Sequence, residues 1–381
     1  MEYYVMKKRI LALLLLIVLA FSLVACGETG EPTVSGSDVS SQVGTDSGTT
    51  DTSSDDSQEE ELQGYDKSIE HKFIACDIRN HGIVVFDLNA VDGDPMRLSE
   101  DAAVVWEWDA DEDPNCTGVA KIWTSISGVR FRYSEYYEKD VVVACATYGW
   151  VGIIDYETRT VLWESTDPIL SGVHSVEMLP NGDVVAGVSA DPGAVVYFAV
   201  SAGIDDPVHS IDSLWCHGVC WDPENECLWV LEDKNVYQAF IQNVGTENAK
   251  LMRVNGSGDE FDGDGAGHAF APVAGEPGKY WASSGRYLWK FDTETEELTK
   301  AKNNLHKNSI KGVCSFTDGT MVQAVAGLFG ANEKEFGSDG FRVIVQELTP
   351  GKVAVLRDVE YLVPFPHREF YKVQAFTKDY Q

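Results

Sequence analysis

The sequence predicts an all-β fold, a β-propeller of six blades with seven as the alternative. Three observations predict it. A unit of strand, tight turn and returning strand recurs along the chain: His174-Ser-Val-Glu-Met-Leu-Pro-Asn-Gly leads to Val184-Val-Ala-Gly, and His217-Gly-Val-Cys-Trp-Asp leads to Cys227-Leu-Trp-Val-Leu. His268-Ala-Phe-Ala-Pro-Val leads to Tyr280-Trp-Ala, and Gly312-Val-Cys-Ser-Phe leads to Met321-Val-Gln-Ala. The units begin about 40–50 residues apart, a period that belongs to propeller blades of several short strands. Second, alternation as in His174, Val176 and Met178 against Ser175 and Glu177 has the period of a pleated strand. Third, no stretch carries the spacing of a long amphipathic helix.

Composition bounds the answer before any motif does. The chain has 381 residues, 44% hydrophobic and 11% aromatic, enough to bury a large core. Lys+Arg 29 against Asp+Glu 61 leaves a formal net charge of -32. Nucleic acid and anionic membrane faces need an excess of Lys and Arg, so neither is an expected partner of the folded part.

The first residues read as a targeting segment. Lys7-Lys8-Arg9 is a positive start, and Ile10 to Phe21 is an apolar run too short to be an ordinary spanning helix. Leu23-Val24-Ala25-Cys26 resembles a bacterial lipobox, which implies that residues 1–26 form a lipoprotein signal and that Cys26 carries the lipid. Anchoring to the bacterial cell membrane on its outer side is then the expected location, with the lipid as the membrane contact. Residues 27–66, rich in Ser, Thr, Gly and acids, bury too little to offset their ordering entropy and read as a disordered tether. Residues 67–381 are the expected propeller domain.

Within that domain, Phe73-Ile-Ala-Cys-Asp, Gly82-Ile-Val-Val-Phe-Asp and Ala103-Val-Val-Trp-Glu-Trp are three strands of a blade without its first strand. The stretch Phe365-Pro-His-Arg-Glu-Phe-Tyr-Lys-Val-Gln-Ala-Phe is a strand without partners after it. Joining the two closes the ring in one blade made from the N- and C-terminal segments and leaves no free edge. The other five blades begin near Gly128, His174, His217, His268 and Lys311. A seventh would lie between Asn235 and Gly265 or between Val325 and Arg342.

In a propeller the first strand of each blade lines the central channel. The repeats therefore converge Arg130, His174, His217, His268 and Lys311 at one mouth, and these five are the candidate ligand-binding residues. Imidazole is a ready metal ligand and proton shuttle, while Arg and Lys hold carboxylate or sulfate oxygens. His174, His217 and His268 are the candidate ligands should a divalent metal be the cofactor. The competing structural reading has each His tying one blade to the next.

Other features carry less. Besides Cys26 there are Cys76, Cys116, Cys145, Cys216, Cys220, Cys227 and Cys314, an odd set with no tandem Cys-x-x-Cys, which fits buried thiols better than a disulfide framework or a zinc ribbon. Glu260-Phe-Asp-Gly-Asp-Gly265 begins like a calcium-binding loop, but Ala271 stands where the bidentate carboxylate belongs. Trp106, Trp221, Trp229 and Trp281 read as packing between blades, and Trp123 and Trp150 lie nearer loops.

Taken in order, Gly128-Val-Arg-Phe-Arg, Val161-Leu-Trp, His174 to Gly182, His217-Gly-Val-Cys-Trp-Asp, Gly267-His-Ala-Phe and Ile310-Lys-Gly-Val resemble a family of uncharacterised secreted bacterial six-bladed β-propeller proteins. The resemblance implies the propeller and the clustered cationic and imidazole residues, and brings no reaction with it. More loosely, His174-x-x-x-x-Leu-Pro-Asn-Gly resembles propeller arylsulfotransferases, and a channel ringed by His resembles oligogalacturonate lyases. The second resemblance implies a His-bound divalent metal holding a uronate carboxylate, with Arg130 or Lys311 as charge partner or base. The closely spaced His and Gln ligands that those lyases carry on one blade are missing here.

The expected function is therefore a cell-surface lipoprotein that binds an anionic or polyhydroxylated saccharide at the channel mouth. A metal-assisted polysaccharide lyase or hydrolase using the same cluster is the alternative, and a protein-interaction scaffold is the second alternative.

Overall fold

A computed structural model describes residues 66–117, 126–256, 261, 267–284, 287–301, 310–326, 341–347, 361–363, 365 and 367–380. The signal segment with Cys26, the tether before residue 66, Trp123 and the acidic loop at 262–266 lie outside the described residues. All regular structure described is strand, apart from short 3-10 turns.

Five blades are each built from four consecutive antiparallel strands. Blade I is β4 (Ile126–Ser134), β5 (Lys139–Ala146), β6 (Trp150–Asp155) and β7 (Val161–Ser165); blade II is β8 (Val173–Met178), β9 (Val184–Val188), β10 (Ala194–Phe198) and β11 (His209–Asp212). Blade III is β12 (Gly218–Asp222), β13 (Cys227–Leu231), β14 (Val236–Gln242) and β15 (Lys250–Gly256). Blade IV is β16 (Phe270–Pro272), β17 (Lys279–Ser283), β18 (Leu288–Asp292) and β19 (Leu298–Lys300), and blade V is β20 (Ile310–Ser315), β21 (Thr320–Ala326), β22 (Phe341–Glu347) and β23 (Tyr361–Val363).

One further four-stranded sheet has the order β24-β1-β2-β3, from β1 (Lys72–Asp77), β2 (Gly82–Asp87), β3 (Val104–Asp109) and β24 (Phe370–Ala375). The expectation of six or seven blades is corrected accordingly: blades made of four consecutive strands number five. The remaining sheet is a composite, in which β24 pairs antiparallel with β1 from the far end of the chain. Of the stretches in which a seventh blade was expected, that from Asn235 to Gly265 supplies β14 and β15 to blade III, and residues 327–340 of the other lie outside the described residues.

Hydrogen-bonded ladders stay inside each sheet, so the sheets are not joined into a barrel and meet through side chains instead. An apolar cluster fills each junction. Phe73, Phe86 and Val373 pack on Cys314 and Val322 of blade V; Ile74, Trp106 and Trp108 pack on Ile126, Val129 and Trp150 of blade I. Further clusters join blades I to II, II to III, III to IV and IV to V. Burial on both faces explains why the inner strands read as nearly continuous apolar runs rather than strict alternations; β12 is buried throughout.

Repeated turn residues close the outer strands. Asp155 accepts from the backbone N–H of Glu157 and Thr158, and Asp292 accepts from Glu294 and Thr295 in the same way. Close approach of inner strands needs glycine at two places. A Cβ on Gly312 would lie 2.2 Å from Val373 N, and one on Gly218 would lie 2.3 Å from Phe270 Cβ.

Candidate functional site

In or just before the innermost strands of five sheets, His174, His217, His268, Lys311 and Tyr371 meet at one mouth, while Ser127 in β4 is fully buried. Local geometry explains how they are aimed. Ile126 and Gly128 pair with consecutive residues of β5, which makes Ser127 the extra residue of a β-bulge. His174 and Lys311 are extra residues of β8 and β20 in the same way, and the β24–β1 ladder shifts register beside Tyr371. A bulge re-aims its side chain out of the pleat, here toward the channel opening.

The resulting rim is contiguous. The ring of His217 lies 4.4 Å from that of His268 and 5.1 Å from that of His174, centroid to centroid. His174 in turn lies 5.7 Å from Tyr371, over whose ring Lys311 Nζ sits at 5.9 Å. Ser127 is too short to intervene and donates instead to Val173 O at 2.7 Å. His217 is buried, while His174, His268, Lys311 and Tyr371 are half-buried.

The protonation of two imidazoles follows from their partners. His174 Nδ1 is 2.7 Å from Gly172 O, and His217 Nδ1 is 2.9 Å from Trp215 O. A carbonyl only accepts, so each Nδ1 carries the proton and each Nε2 holds a lone pair. His174 Nε2 can accept a hydrogen bond from a ligand, and His217 Nε2 is 3.1 Å from Ser189 Oγ. Burial pushes His174 down to about 4, helped by the charges of Lys372 and Lys311. Burial pushes His217 well down too, with His268, His174 and Lys372 adding to it. Both are neutral at neutral pH.

Four of the five expected site residues therefore meet at the mouth, and Arg130 does not. It sits three residues further along β4, where its Nη2 donates to Val219 O at 3.3 Å, Phe270 O at 3.1 Å and Cys220 Sγ at 3.2 Å. Its side chain thus spans the channel from blade I to blades III and IV. Glu177 Oε2 is 3.4 Å from Arg130 Nε, and the Glu177 carboxylate also takes a bidentate bond from Arg132 at 2.9 and 3.0 Å.

The metal reading of His174, His217 and His268 gains no support from the arrangement of the described residues. Among the described residues no group of three or more His, Cys, Asp or Glu is arranged to hold a metal ion. The reason lies in the partners: both ring nitrogens of His217 are engaged, and His174 keeps only Nε2. Sequence reasoning also missed three residues near the site. Tyr371 and Lys372 belong to the stretch Tyr371-Lys-Val, which aligns with His217-Gly-Val and Lys311-Gly-Val and shares their Val, a faint signal in the sequence. Trp215 lies two residues before His217, is 41% exposed and has a positive φ of 51°. A bulky residue in the left-handed region is held there by its surroundings, here by the Trp215 N–H bond to Ala190 O at 3.4 Å and the His217 bond to its carbonyl.

The seven described cysteines are all buried and free of disulfides. Trp150 and Trp229 are fully buried, and Trp106, Trp221 and Trp281 are buried as well, consistent with packing between sheets.

Comparison with known proteins adds a family and a fold. The profile of DUF6528, described as a family of unknown function, matches residues 66–339. No curated protein matches the chain. Among solved structures, a protein of unknown function from Bacteroides caccae is similar at 10% identity and a TM-score of 0.50, covering 81% of this chain and 99% of its own. The C-terminal WD40 domain of Sif2 aligns at 11% identity and a TM-score of 0.41, covering 79% of this chain and 68% of that one.

Proposed function

The chain belongs to DUF6528, a family of unknown function, and on that footing we propose that it is a cell-surface lipoprotein binding an extracellular saccharide at the imidazole mouth of its propeller. The observation that carries this reading is the contiguous rim His268–His217–His174–Tyr371–Lys311 with Trp215 exposed beside it. Neutral imidazoles and a phenol suit hydroxyl groups, a flat indole suits the face of a pyranose ring, and Lys311 suits a carboxylate or sulfate on the same sugar. Concave sites with a few converging polar groups and an aromatic wall are where small ligands are held.

The lipid on Cys26 and the acidic tether would carry this domain away from the membrane surface, where a saccharide could reach the mouth. A glycan array probed with the full chain tests the reading. Wild-type protein should retain a set of acidic or hydroxyl-rich glycans, and Trp215→Ala and His268→Ala should each lose at least tenfold in affinity for them. Retention unchanged in both variants would contradict the reading.

A further inference from the structure

Below the rim the channel holds three buried cations and one buried carboxylate that meets two of them. Arg130 and Arg132 share Glu177. Lys372, 3% exposed, has no such partner: its Nζ donates to His217 O at 2.5 Å, across the channel from its own strand. Among the described residues no carboxylate lies within salt-bridge distance of that ammonium.

The other groups facing Lys372 do not supply a counter-charge. They are the thiols of Cys76, Cys145 and Cys216 and the guanidinium of Arg130, with His174 and His217 close enough to feel its charge. Burial raises Cys145 and Cys216 to about 12 and Cys76 further, so the sulfurs are neutral thiols. Burying an ammonium without a paired anion is costly, and a chain of net charge -32 has no shortage of carboxylates to place there.

We propose that Lys372, just beneath the rim, acts with Lys311 to make the imidazole mouth a seat for one oxyanion group, the carboxylate or sulfate of a bound sugar. The proposal deepens the saccharide reading and rests on it for the source of the anion; a free inorganic oxyanion has the same chemistry. It also explains why β24 carries Lys372 where blades I, III and V carry Gly128, Gly218 and Gly312. Burial lowers Lys372 to about 8, opposed by the nearby thiols, so its charge is present at neutral pH and is lost as pH rises through that value.

The experiment is calorimetric titration of the full chain with glucuronate, glucose and inorganic sulfate between pH 6.5 and 9.5, at constant ionic strength. Glucuronate and sulfate should bind below pH 8, with affinity falling about tenfold per pH unit above it. Lys372→Met should remove that pH dependence and weaken glucuronate to the level of glucose. Lys372→Arg should restore oxyanion binding without the break near pH 8, and Lys311→Met should weaken binding but keep the break. Thermal melting without ligand checks folding, and sulfate should raise the melting temperature of wild type and Lys372→Arg but not of Lys372→Met. Lys372-dependent binding of sulfate with no binding of glucuronate at any pH would overturn the saccharide reading and leave this inference standing. Glucose bound as tightly as glucuronate, or an unchanged glucuronate pH profile in Lys372→Met, would overturn the inference.

Discussion

The two ends of the central channel solve opposite problems with the same materials. At the imidazole mouth His174 and His217 are neutral, and four of the rim residues keep part of their surface in solvent. At the other end the charged groups are paired. Arg132 is locked onto Glu177, donates to Thr377 O at 3.1 Å and Asp379 O at 3.3 Å, and lies 4.5 Å from the centre of the Tyr380 ring. Phe376 stacks on Phe131 at 3.9 Å, and Lys378 pairs with Asp140 at 2.8 Å. The far end thus uses its charges to hold the fold, whereas the near end keeps partly exposed polar groups, which is why the ligand site is proposed there.

His71 makes the same contrast with a single residue type. It is fully buried before β1, with Nε2 2.8 Å from Asp318 on the β20–β21 turn and Nδ1 3.0 Å from Asn89. Burial alone would lower its pKa, but the Asp318 bond overrides burial and raises it. The same partner holds Asp318 down against burial. Where an imidazole meets a carboxylate it ties the composite sheet to blade V; where it meets a carbonyl and no carboxylate, as His174 and His217 do, it is neutral.

The largest test of this comparison removes the far end's carboxylate. Glu177→Gln leaves two buried guanidinium groups with no anion and should cost about 3–5 kcal/mol by urea unfolding. A cost under 1 kcal/mol would mean that the pairing does not hold that end together.

Acid titration comes next, and the two imidazole environments give opposite signs. His174 has its folded pKa depressed from 6.5 to about 4, so it contributes stability that is present above pH 6.5 and lost as pH falls toward 4. The loss amounts to up to about 3 kcal/mol. His71, with its folded pKa raised, contributes stability below pH 6.5 that is lost as pH rises through its folded value. Unfolding curves of His174→Phe and His71→Phe against pH should therefore diverge in opposite directions from wild type. Parallel curves would break the contrast.

A smaller effect is expected where strands approach across the ring. Gly312→Ala brings a methyl group onto the backbone of β24 and should cost about 1–3 kcal/mol. Smaller still is Tyr380→Ala, which removes the ring over Arg132 and should cost about 1 kcal/mol without altering glycan binding at the opposite end.

Much of this architecture was legible because it repeats. Strand beginnings at His174, His217 and Lys311 were marked by the recurring His/Lys, small residue, Val pattern, and the Asp turns by side chains that cap their own backbone. What escaped notice came from non-local geometry. Arg130 looks like a rim residue by its place near a strand start, yet three residues of pleat move it into the channel, where it spans to blades III and IV. Tyr371 and Lys372 keep only the Val of the repeat and stood in a strand read only as a closing element. His71, Glu177 and Arg132 gain their roles from partners far away in sequence, which no local pattern encodes. Bulges were invisible as well, since the extra residue is defined only by its pairing partner.

The most direct test of the central claim is a crystal structure of the full chain grown with glucuronate at pH 7. The account predicts the sugar at the imidazole mouth, its ring against Trp215, a hydroxyl on His174 Nε2 and its carboxylate turned toward Lys311 and Lys372. Glucuronate bound instead in the cleft of about 460 Å³ lined by Asn80, Glu107, Asp109, Arg159 and Arg368, with the mouth holding only water, would contradict it.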